Sequence, residues 1–328
     1  MANPVENWWP AARALIKTLD LDLQGRVVIT EAATGAYCVT AIIAAMAGAE
    51  VFAYAADSSY GTQRQAFDFV DSQLPEHRKV NFITDKNDLP WADADIITNS
   101  GHLRPLDQKV LSQLKRQAVI ALMYEPWEFR PSDLDLHYCR QHNLAIIGLN
   151  ERHTNLQVFD FLGPLAVKML SDAGYTHGAP LILLSDNEFT EFLLRKLPAS
   201  LGLIAPEAQS HQTYLGKPAD FKIRPPFDEA RFMLVNSTEL VLKNFLKSLQ
   251  QLPDIQLVLY YSNLDPDGLR GAGVDFFPQN FKKDHMGYLL SQLGYEPIIR
   301  LQSGGLKAAQ LALTGQTDFN GETLALAL

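Results

Sequence analysis

Cysteines, long apolar runs and clustered glycines are scarce in this 328-residue sequence. Its two cysteines, Cys38 and Cys139, are too few for a disulfide framework and form no Cys-x-x-Cys metal pattern, so we interpret both as packing residues. No apolar run approaches the roughly 20 residues that cross a bilayer. Residues 1–20 contain no uninterrupted apolar segment of the kind found in secretory signals. The sequence therefore predicts a cytoplasmic protein without a membrane partner.

An excess of basic residues is missing as well. The chain has 28 Lys and Arg residues against 37 Asp and Glu residues, a net charge of −9, whereas a general nucleic-acid binder needs a basic face. Spacings typical of zinc ligands, such as His-Glu-x-x-His, are absent, and so is the Gly-x-Ser-x-Gly turn of serine hydrolases. We thus expect no nucleic-acid partner and no metal.

What the sequence does contain is an alternation of short apolar runs and helical patterns after Gly25. Runs this apolar are typical of strands buried on both faces, which indicates a parallel sheet covered by helices. Strands are predicted at 27–30, 51–54, 80–83, 95–98, 119–123 and 145–148, and helices at 37–47, 62–72, 106–116 and 132–142. Six strands with right-handed crossovers predict a doubly wound, dinucleotide-binding sheet.

A second alternation follows a long amphipathic pattern at 156–173. Its strands are predicted at 179–185, 201–205, 231–237, 255–262 and 296–302, and its helices at 188–196, 239–250, 285–293 and 306–313. We therefore predict the fold class α/β, with two Rossmann-like domains built on parallel sheets. The expected parts are a helical segment at 1–24 that carries Trp8 and Trp9, a nucleotide-cofactor domain at 25–154, a connecting helix at 155–177 and a smaller α/β domain at 178–328.

The turn after the first predicted strand departs from the glycine-rich dinucleotide fingerprint, because Gly35 is its only glycine. A phosphate needs free backbone N–H groups at a helix start, which Gly35 and its small neighbours allow and to which Thr34 adds a hydroxyl. Asp57 follows the second strand, where an acidic residue commonly binds a ribose diol as in NAD. Ser58 and Arg64 could instead hold the 2′-phosphate of NADP, or Asp57 and Ser58 could simply cap the next helix. NAD and NADP both stay open.

Polar, charged and aromatic residues concentrate where the fourth, fifth and sixth predicted strands end. Ligands of open parallel sheets bind outside the carboxyl ends of the strands, so this concentration predicts a functional cleft. The residues are Asn99, Ser100, Gly101, His102, Arg104, Tyr124, Glu125, Trp127, Glu128, Arg130, Asn150, Glu151, Arg152 and His153.

Residues 25–150 resemble the cofactor domain of NAD(P)-dependent dehydrogenases of the 2-hydroxyacid type and of S-adenosylhomocysteine hydrolase. The stretch "ADIITNSGHLRPLDQKVLSQLKRQAVIAL" is similar to the part of that domain in which a strand ends at a turn beside the nicotinamide. The sequence departs from the family in lacking the three glycines and an assignable Arg–Glu–His catalytic set. By this resemblance, Thr34, Gly35, Ala36 and Tyr37 are expected at the pyrophosphate, Asp57 at the adenosine ribose, and Asn99 and Gly101 at the nicotinamide side.

The residues that could orient a substrate and move its proton lie on predicted loops and helix starts. Arg130 could clamp a carboxylate, because its guanidinium binds two oxygens at once. A histidine on a loop can exchange protons near neutral pH, and His102 is a further candidate. The sequence thus predicts an NAD(P)-dependent oxidoreductase, with a small polar substrate, carboxylate-bearing as one option, in the cleft between the domains. The expected catalytic residues are Glu125, Arg130, Glu151, His153 and His285.

Two other functions stay open. The stretch "VVITEAATGAY" is also similar to the first motif of S-adenosylmethionine-dependent methyltransferases, with Glu31 on the turn and Asp57 on the ribose, although no closing antiparallel hairpin is predicted within 95–148. A non-catalytic binding or assembly protein is the third option. We also expect a small-residue turn at 303–307 that could bind an anion, and a homodimer that forms through Trp8 and Trp9.

Overall fold

The computed structural model describes residues 8–59, 61–197, 201–206, 212–218, 221–252 and 254–328, so residues 1–7 of the expected N-terminal segment lie outside the described part. The chain divides into two compact units, Met1–Val158 with Gly294–Leu328, and Phe159–Leu293. The expected second domain at 178–328 is therefore wrong at both ends. The helix expected to connect the domains belongs to the second unit, and the last 35 residues, 294–328, return to the first.

The first unit is built on six strands that match the six predicted ones. They are β1 (Val27–Glu31), β2 (Glu50–Tyr54), β3 (Asn81–Ile83), β4 (Ile96–Thr98), β5 (Val119–Ala121) and β6 (Ala145–Leu149). The helices of this part are α1 (Trp9–Thr18), α2 (Val39–Met46), α3 (Gln63–Ser72), α4 (Gln108–Leu111) and α5 (Leu136–His142). A capping box at Thr62 fixes the start of α3, because the Thr62 side chain and the Gln65 side chain each satisfy the other's backbone N–H.

The six strands are parallel and lie in the order β3-β2-β1-β4-β5-β6. Ile29 of β1 lies beside Ile97 of β4, which lies beside Ile120 of β5, and all three side chains are fully buried. The order reverses between β1 and β4, where doubly wound sheets bind their ligands. Strands β4, β5 and β6 pair with one another in parallel, without an antiparallel hairpin among them.

The second unit repeats this strand order. Its elements are α6 (Leu162–Asp172), β7 (Leu181–Ser185), α7 (Thr190–Leu194), β8 (Leu201–Ile204), β9 (Thr213–Gly216), β10 (Phe232–Ser237), α8 (Leu242–Leu249), β11 (Gln256–Ser262), α9 (Pro266–Gly271), β12 (Phe276–Phe277) and β13 (His285–Met286). The parallel order is β9-β8-β7-β10-β11-β12, which confirms a second Rossmann-like sheet. The helix predicted at 285–293 is wrong, because His285 and Met286 pair antiparallel with β11 and only a one-turn 3-10 helix follows at Leu290–Leu293.

The last segment packs onto the first sheet. It contains α10 (Glu296–Leu313), β14 (Asp318–Phe319), β15 (Glu322–Thr323) and β16 (Ala325–Ala327), and β16 extends the sheet antiparallel to β6. The strand predicted at 296–302 and the anion-binding turn predicted at 303–307 are both wrong, because α10 runs through them. Gly304 and Gly305 let the helix pack closely: a Cβ at Gly304 would overlap Leu149 and Leu156. Lys307 is buried and donates to the carbonyl oxygen of Asp20 at 2.8 Å.

The N-terminal tryptophans pack against their own chain. Trp8 is buried and stacks on Tyr295, with ring centroids 5.7 Å apart, and the Trp9 Nε1 donates to the carbonyl oxygen of Gln73 at 3.0 Å. This burial leaves Trp8 without an exposed face for a dimer contact, so the predicted homodimer has no support from this residue. Both cysteines are buried and unpaired, as expected. In the described ranges, no helix is both long and apolar enough to span a membrane.

Candidate functional site

The turn between β1 and α2 leaves room and donors for a phosphate. A one-turn 3-10 helix at Gly35–Cys38 precedes α2, Gly35 has a φ of +63°, and no described atom lies within 4 Å of the place its Cβ would take. Thr34 is extended and makes no side-chain cap, and the first turn carries no acidic residue. The backbone N–H groups at a helix start point away from the helix, and here no cap satisfies them. The predicted phosphate-binding residues thus lie in a turn suited to an anion.

Asp57 lies after β2, as expected, and combines features of both interpretations. It is exposed, and one carboxylate oxygen accepts the backbone N–H of Gln63 at 2.7 Å, which supports the start of α3. Ser58 is exposed beside it and pairs with Gly61 through two backbone hydrogen bonds. Asp57 thus supports the start of α3, whose N-cap residue is Thr62, and its role at a ribose stays a prediction.

Glu31 ends β1 and contacts the loop that follows β4. Its carboxyl group fills the space that a Cβ at Gly101 would take and accepts the N–H of His102 at 3.3 Å. Burial raises the pKa of Glu31, against the opposing charge of Arg104 and the hydrogen bond from His102. From the sequence, Glu31 is expected at a ligand site only in the methyltransferase alternative. Because Glu31 is the last residue of the first strand, the sequence could have placed it at the ligand-binding edge in the dehydrogenase interpretation as well.

Asn99 belongs to a buried hydrogen-bond network at the end of β4. Its Nδ2 donates to the Tyr124 hydroxyl at 2.8 Å, and that hydroxyl and Arg104 Nη1 reach the same oxygen of Asp133, at 3.2 and 3.0 Å. Because the Asp133 carboxylate only accepts, the Tyr124 hydroxyl must donate to it and accept from Asn99, which fixes the orientation of the amide. Asn99 is 1% exposed, yet its Oδ1 has no partner among the described residues. A buried acceptor without a donor is unfavourable and marks a place for a ligand donor.

Three carboxyl groups follow β5 and β6 and act on one another electrostatically. Glu125 accepts the N–H of Glu151 at 3.1 Å through one oxygen and the Nε1 of Trp127 at 2.7 Å through the other. Burial and the charges of Glu128 and Glu125 raise the pKa of Glu151 well above its ordinary value, which favours the protonated form that can donate a hydrogen bond to Glu128. Although Glu128 as a residue is exposed, desolvation of its carboxyl group and the charge of Glu125 raise its pKa to about 7. Glu128 and Glu151 together hold a proton near neutral pH.

Tyr37 connects the phosphate turn with these carboxyl groups. Burial raises the pKa of its hydroxyl to about 12, and the charges of Glu31, Glu151 and Glu128 act in the same direction. The hydroxyl therefore stays protonated and can donate a hydrogen bond. The charges of Glu31, Arg104, Glu128 and Glu151 all act on Tyr37, so the turn after β1 and the loops after β4, β5 and β6 lie close together at the carboxyl edge.

Two predicted histidines have hydrogen-bond partners outside this set of residues. His153 is fully buried; its Nδ1 accepts the N–H of Asn155 at 3.1 Å and its Nε2 lies 3.1 Å from the carbonyl oxygen of Phe319, so both ring nitrogens are engaged. His285 belongs to β13 of the second unit, with its Nδ1 2.8 Å from the carbonyl oxygen of Lys283. Their catalytic roles stay predictions without a supporting contact.

Arg130 and His102 lie at the carboxyl edge. Arg130 is exposed, and its charge counteracts the rise in the pKa of Glu128. Burial lowers the pKa of His102, which favours its neutral form. Arg130 therefore lies within electrostatic reach of the Glu128–Glu151 pair. No group of three His, Cys, Asp or Glu residues that could hold a metal occurs in the part of the chain that the structure describes.

The equivalent turn of the second unit, after β7, does not suit a phosphate. It begins Ser185-Asp186-Asn187 and has no glycine, and α7 is only five residues long. Asp186 accepts from the Ser237 hydroxyl, and the Asn187 and Asn236 amides donate to each other. The polar groups at this edge satisfy one another, and Asp186 would repel an anion. The first unit therefore contains the better candidate for a nucleotide site.

Comparison with solved structures identifies the fold. A dipicolinate synthase subunit from Bacillus halodurans is 12% identical, with a TM-score of 0.57 over 90% of this chain and 99% of that chain. The apo form of D-lactate dehydrogenase from Escherichia coli is 12% identical, with a TM-score of 0.46 over 89% of this chain and 98% of that chain. No protein-family model and no curated protein matches the sequence. The first similarity confirms a two-unit α/β fold shared over 90% of this chain.

Proposed function

We propose that the chain is an NAD- or NADP-dependent oxidoreductase that acts on a small polar substrate at the carboxyl edge of the first sheet. The observation that carries the proposal is the gathering of Glu125, Glu128 and Glu151 after β5 and β6, at the carboxyl edge of a doubly wound sheet, where burial and the charge of Glu125 raise the pKa of Glu128 to about 7. A general acid or base works best when its pKa is close to the working pH. The fold shared with the dipicolinate synthase chain supports the proposal.

The turn at Gly35 fits a dinucleotide diphosphate, because its helix start is uncapped and the space beside Gly35 is open. The backbone of Thr34, Gly35, Ala36 and Tyr37 would hold the diphosphate. Asp57, with Ser58, would bind the adenosine ribose, and Asn99 and Gly101 would lie at the nicotinamide side. The bound cofactor would supply the hydride acceptor or donor.

The chain's own residues would position the substrate and handle its proton. Glu151 and Glu128 exchange the proton that accompanies hydride transfer, in either direction, because together they hold it near neutral pH. Glu125 positions the pair, since its two oxygens are bound by Trp127 and by the backbone of Glu151. The exposed Arg130 would bind an anionic group of the substrate where one is present.

Ligand-induced stabilisation tests the proposal. Thermal unfolding would be followed with NAD+, NADH, NADP+, NADPH, S-adenosylmethionine and S-adenosylhomocysteine. A dinucleotide at a hundred times its dissociation constant should add roughly 2.7 kcal/mol of stability, and the two adenosyl compounds should add none. A shift with S-adenosylmethionine alone would favour the methyltransferase alternative, and no shift with any of the six would leave the non-catalytic alternative.

A matched pair of variants examines the ribose site. Asp57→Asn keeps an acceptor for the N–H of Gln63, whereas Asp57→Ala removes it. If Asp57 binds the ribose, both variants weaken dinucleotide binding, while only Asp57→Ala loses helix-cap stability, by about 1 kcal/mol. Dinucleotide affinity equal to wild type in Asp57→Asn would remove Asp57 from the site.

A further inference from the structure

We propose that the substrate presents a protonated amino group, which donates hydrogen bonds to the carboxyl group of Glu31 and to the Oδ1 of Asn99. The inference rests on the proposed function in naming the substrate class of the same site. Three features support it: the unsatisfied acceptor at Asn99, the balance of donors and acceptors around it, and an exposed indole beside the carboxyl groups.

The register of the sheet sets Glu31 and Asn99 side by side. Ile29 pairs with Ile97 across β1 and β4, and one position further the Thr98 hydroxyl donates to the Thr30 hydroxyl at 2.8 Å. Glu31 is the last residue of β1, and Asn99 directly follows β4. The Asn99 NH2 group donates to Tyr124 on the β5 side, so its Oδ1 is directed away from Tyr124. A donor between the two residues would satisfy an oxygen that the described protein leaves without a partner.

The surrounding charges favour a cation over an anion. Glu31, Glu125, Glu128 and Glu151 contribute four carboxyl groups to this edge; burial raises the pKa of three of them, but a neutral carboxyl group still offers its carbonyl oxygen as an acceptor and an ionised one adds negative charge. The guanidinium of Arg104, whose charge acts on Glu31, is already 3.0 Å from an oxygen of Asp133. An ammonium group has three donors and no acceptor, and its hydrogen bonds to carboxylates are roughly twice as strong as neutral ones. A carboxylate at the same position would face Glu31 and a further acceptor.

Trp127 provides an aromatic surface next to the carboxyl groups. The residue is 47% exposed, although its Nε1 donates to Glu125 at 2.7 Å, and this hydrogen bond holds the indole in a defined orientation. Exposed aromatic faces attract cations and cover the alkyl groups next to them. The exposed Arg130 is compatible with a substrate that carries a carboxylate as well, so amino acids belong to the proposed class.

A pair of simple probes of similar size and opposite charge tests the inference without any nucleotide. n-Butylammonium chloride and sodium butyrate would be titrated separately into the full-length wild-type protein at matched ionic strength, with binding followed by ligand-observed NMR. The expected result is at least about tenfold tighter binding of butylammonium. Butyrate binding as tight as or tighter than butylammonium would overturn the inference.

Two variants locate the binding. Glu31→Gln keeps the size of the side chain and removes its charge, and it should weaken butylammonium binding by about tenfold. Glu50→Gln changes an exposed glutamate at the opposite end of the neighbouring strand and should leave binding unchanged. Equal binding of butylammonium by Glu31→Gln and by wild type would refute the assignment to Glu31. If Glu31→Gln does not fold, the comparison of butylammonium with butyrate on the wild-type protein decides. The probes are titrated without nucleotide. A failure of the protein to bind dinucleotides, which would count against the proposed function, is therefore distinguished from a failure to bind butylammonium, which would count against the present inference.

Discussion

The carboxyl group of Glu31 occupies the space next to Gly101, and the following amide, that of His102, donates to it at 3.3 Å. The end of β1 thereby fixes the loop that begins at the end of β4. Gly101 has a positive φ of 35°, and any larger residue there would displace the Glu31 carboxyl group. The reversal point of the sheet is held together by this contact.

The first prediction concerns Gly101→Ala. A Cβ at this position meets the Glu31 carboxyl group, so the variant should lose stability through overpacking as well as through its backbone conformation. Gly25→Ala is the matched control, because Gly25 also has a positive φ, of 74°, but no described atom lies within 4 Å of its Cβ position. Denaturant unfolding should show a loss of about 1 kcal/mol for Gly25→Ala and about 1–3 kcal/mol more for Gly101→Ala. Equal losses would mean that Glu31 moves aside freely.

The second prediction concerns the pH dependence of stability. The folded protein raises the pKa of Glu151 above the ordinary glutamate value of 4.5, so the folded state binds more protons than the unfolded state above that pH. The stability that Glu151 contributes is therefore fully present below pH 4.5 and is lost as the pH rises through the raised pKa. Glu151→Gln keeps a donor to Glu128 and cannot ionise.

Denaturant unfolding at a series of pH values from 4.5 to 8 measures this contribution. The free energy of unfolding of wild type minus that of Glu151→Gln should fall as the pH rises. Glu76→Gln, at an exposed glutamate, serves as the control for the loss of one carboxyl group. A difference that stays constant with pH would contradict the protonated state of Glu151.

The strands of the first unit could be predicted from the sequence because the information is local. Ile29, Ile97 and Ile120 lie in short apolar runs bounded by turns, and crossover rules then give their parallel pairing and the edge where polar residues meet. Asn99, Glu125 and Glu151 could be placed at that edge for the same reason. Their hydrogen bonds could not be predicted, since these depend on side-chain directions after each strand ends.

The predictions that the structure contradicts concern contacts between parts of the chain that are distant in sequence. Gly304 and Gly305 suggest a turn, because glycines are unfavourable inside a helix unless a close neighbour leaves no room for a side chain. The neighbours that do so here are far away in sequence; they are Leu149, Leu156 and Met123. His153 looked like a loop histidine because its partner Phe319 lies 166 residues later. The domain boundary was wrong for the same reason: nothing local indicates that the last residues return to the first sheet.

The third prediction uses two helical glycines with opposite outcomes. Gly304→Ala adds a Cβ where Leu149 and Leu156 already pack, so the overlap should exceed the gain in helix propensity and lower stability by about 1–3 kcal/mol. Gly271→Ala, at the end of α9, meets no described atom within 4 Å and should raise stability by up to about 1 kcal/mol. Thermal unfolding of the two variants checks the signs. A gain in both would contradict the close packing of α10.

The fourth prediction separates a structural from a catalytic His153. His153→Gln should lose about 1–3 kcal/mol of stability, because at least one of two buried hydrogen bonds is broken. The affinity for dinucleotide should stay unchanged. His177→Gln, at an exposed histidine, should change stability by less than about 0.5 kcal/mol. Loss of dinucleotide binding in a folded His153→Gln protein would instead connect this residue to the site.

The central claim is that the turn at Gly35 binds the diphosphate of NAD or NADP, and isothermal titration of two variants tests it most directly. Gly35→Asp and Gly35→Asn place side chains of equal size in the open space, and both residues tolerate the positive φ of 63°. A carboxylate next to a phosphate repels it, so Gly35→Asp should bind the dinucleotide about tenfold or more weakly than Gly35→Asn. Equal affinities in the two variants, or no dinucleotide binding by wild type, would contradict the account.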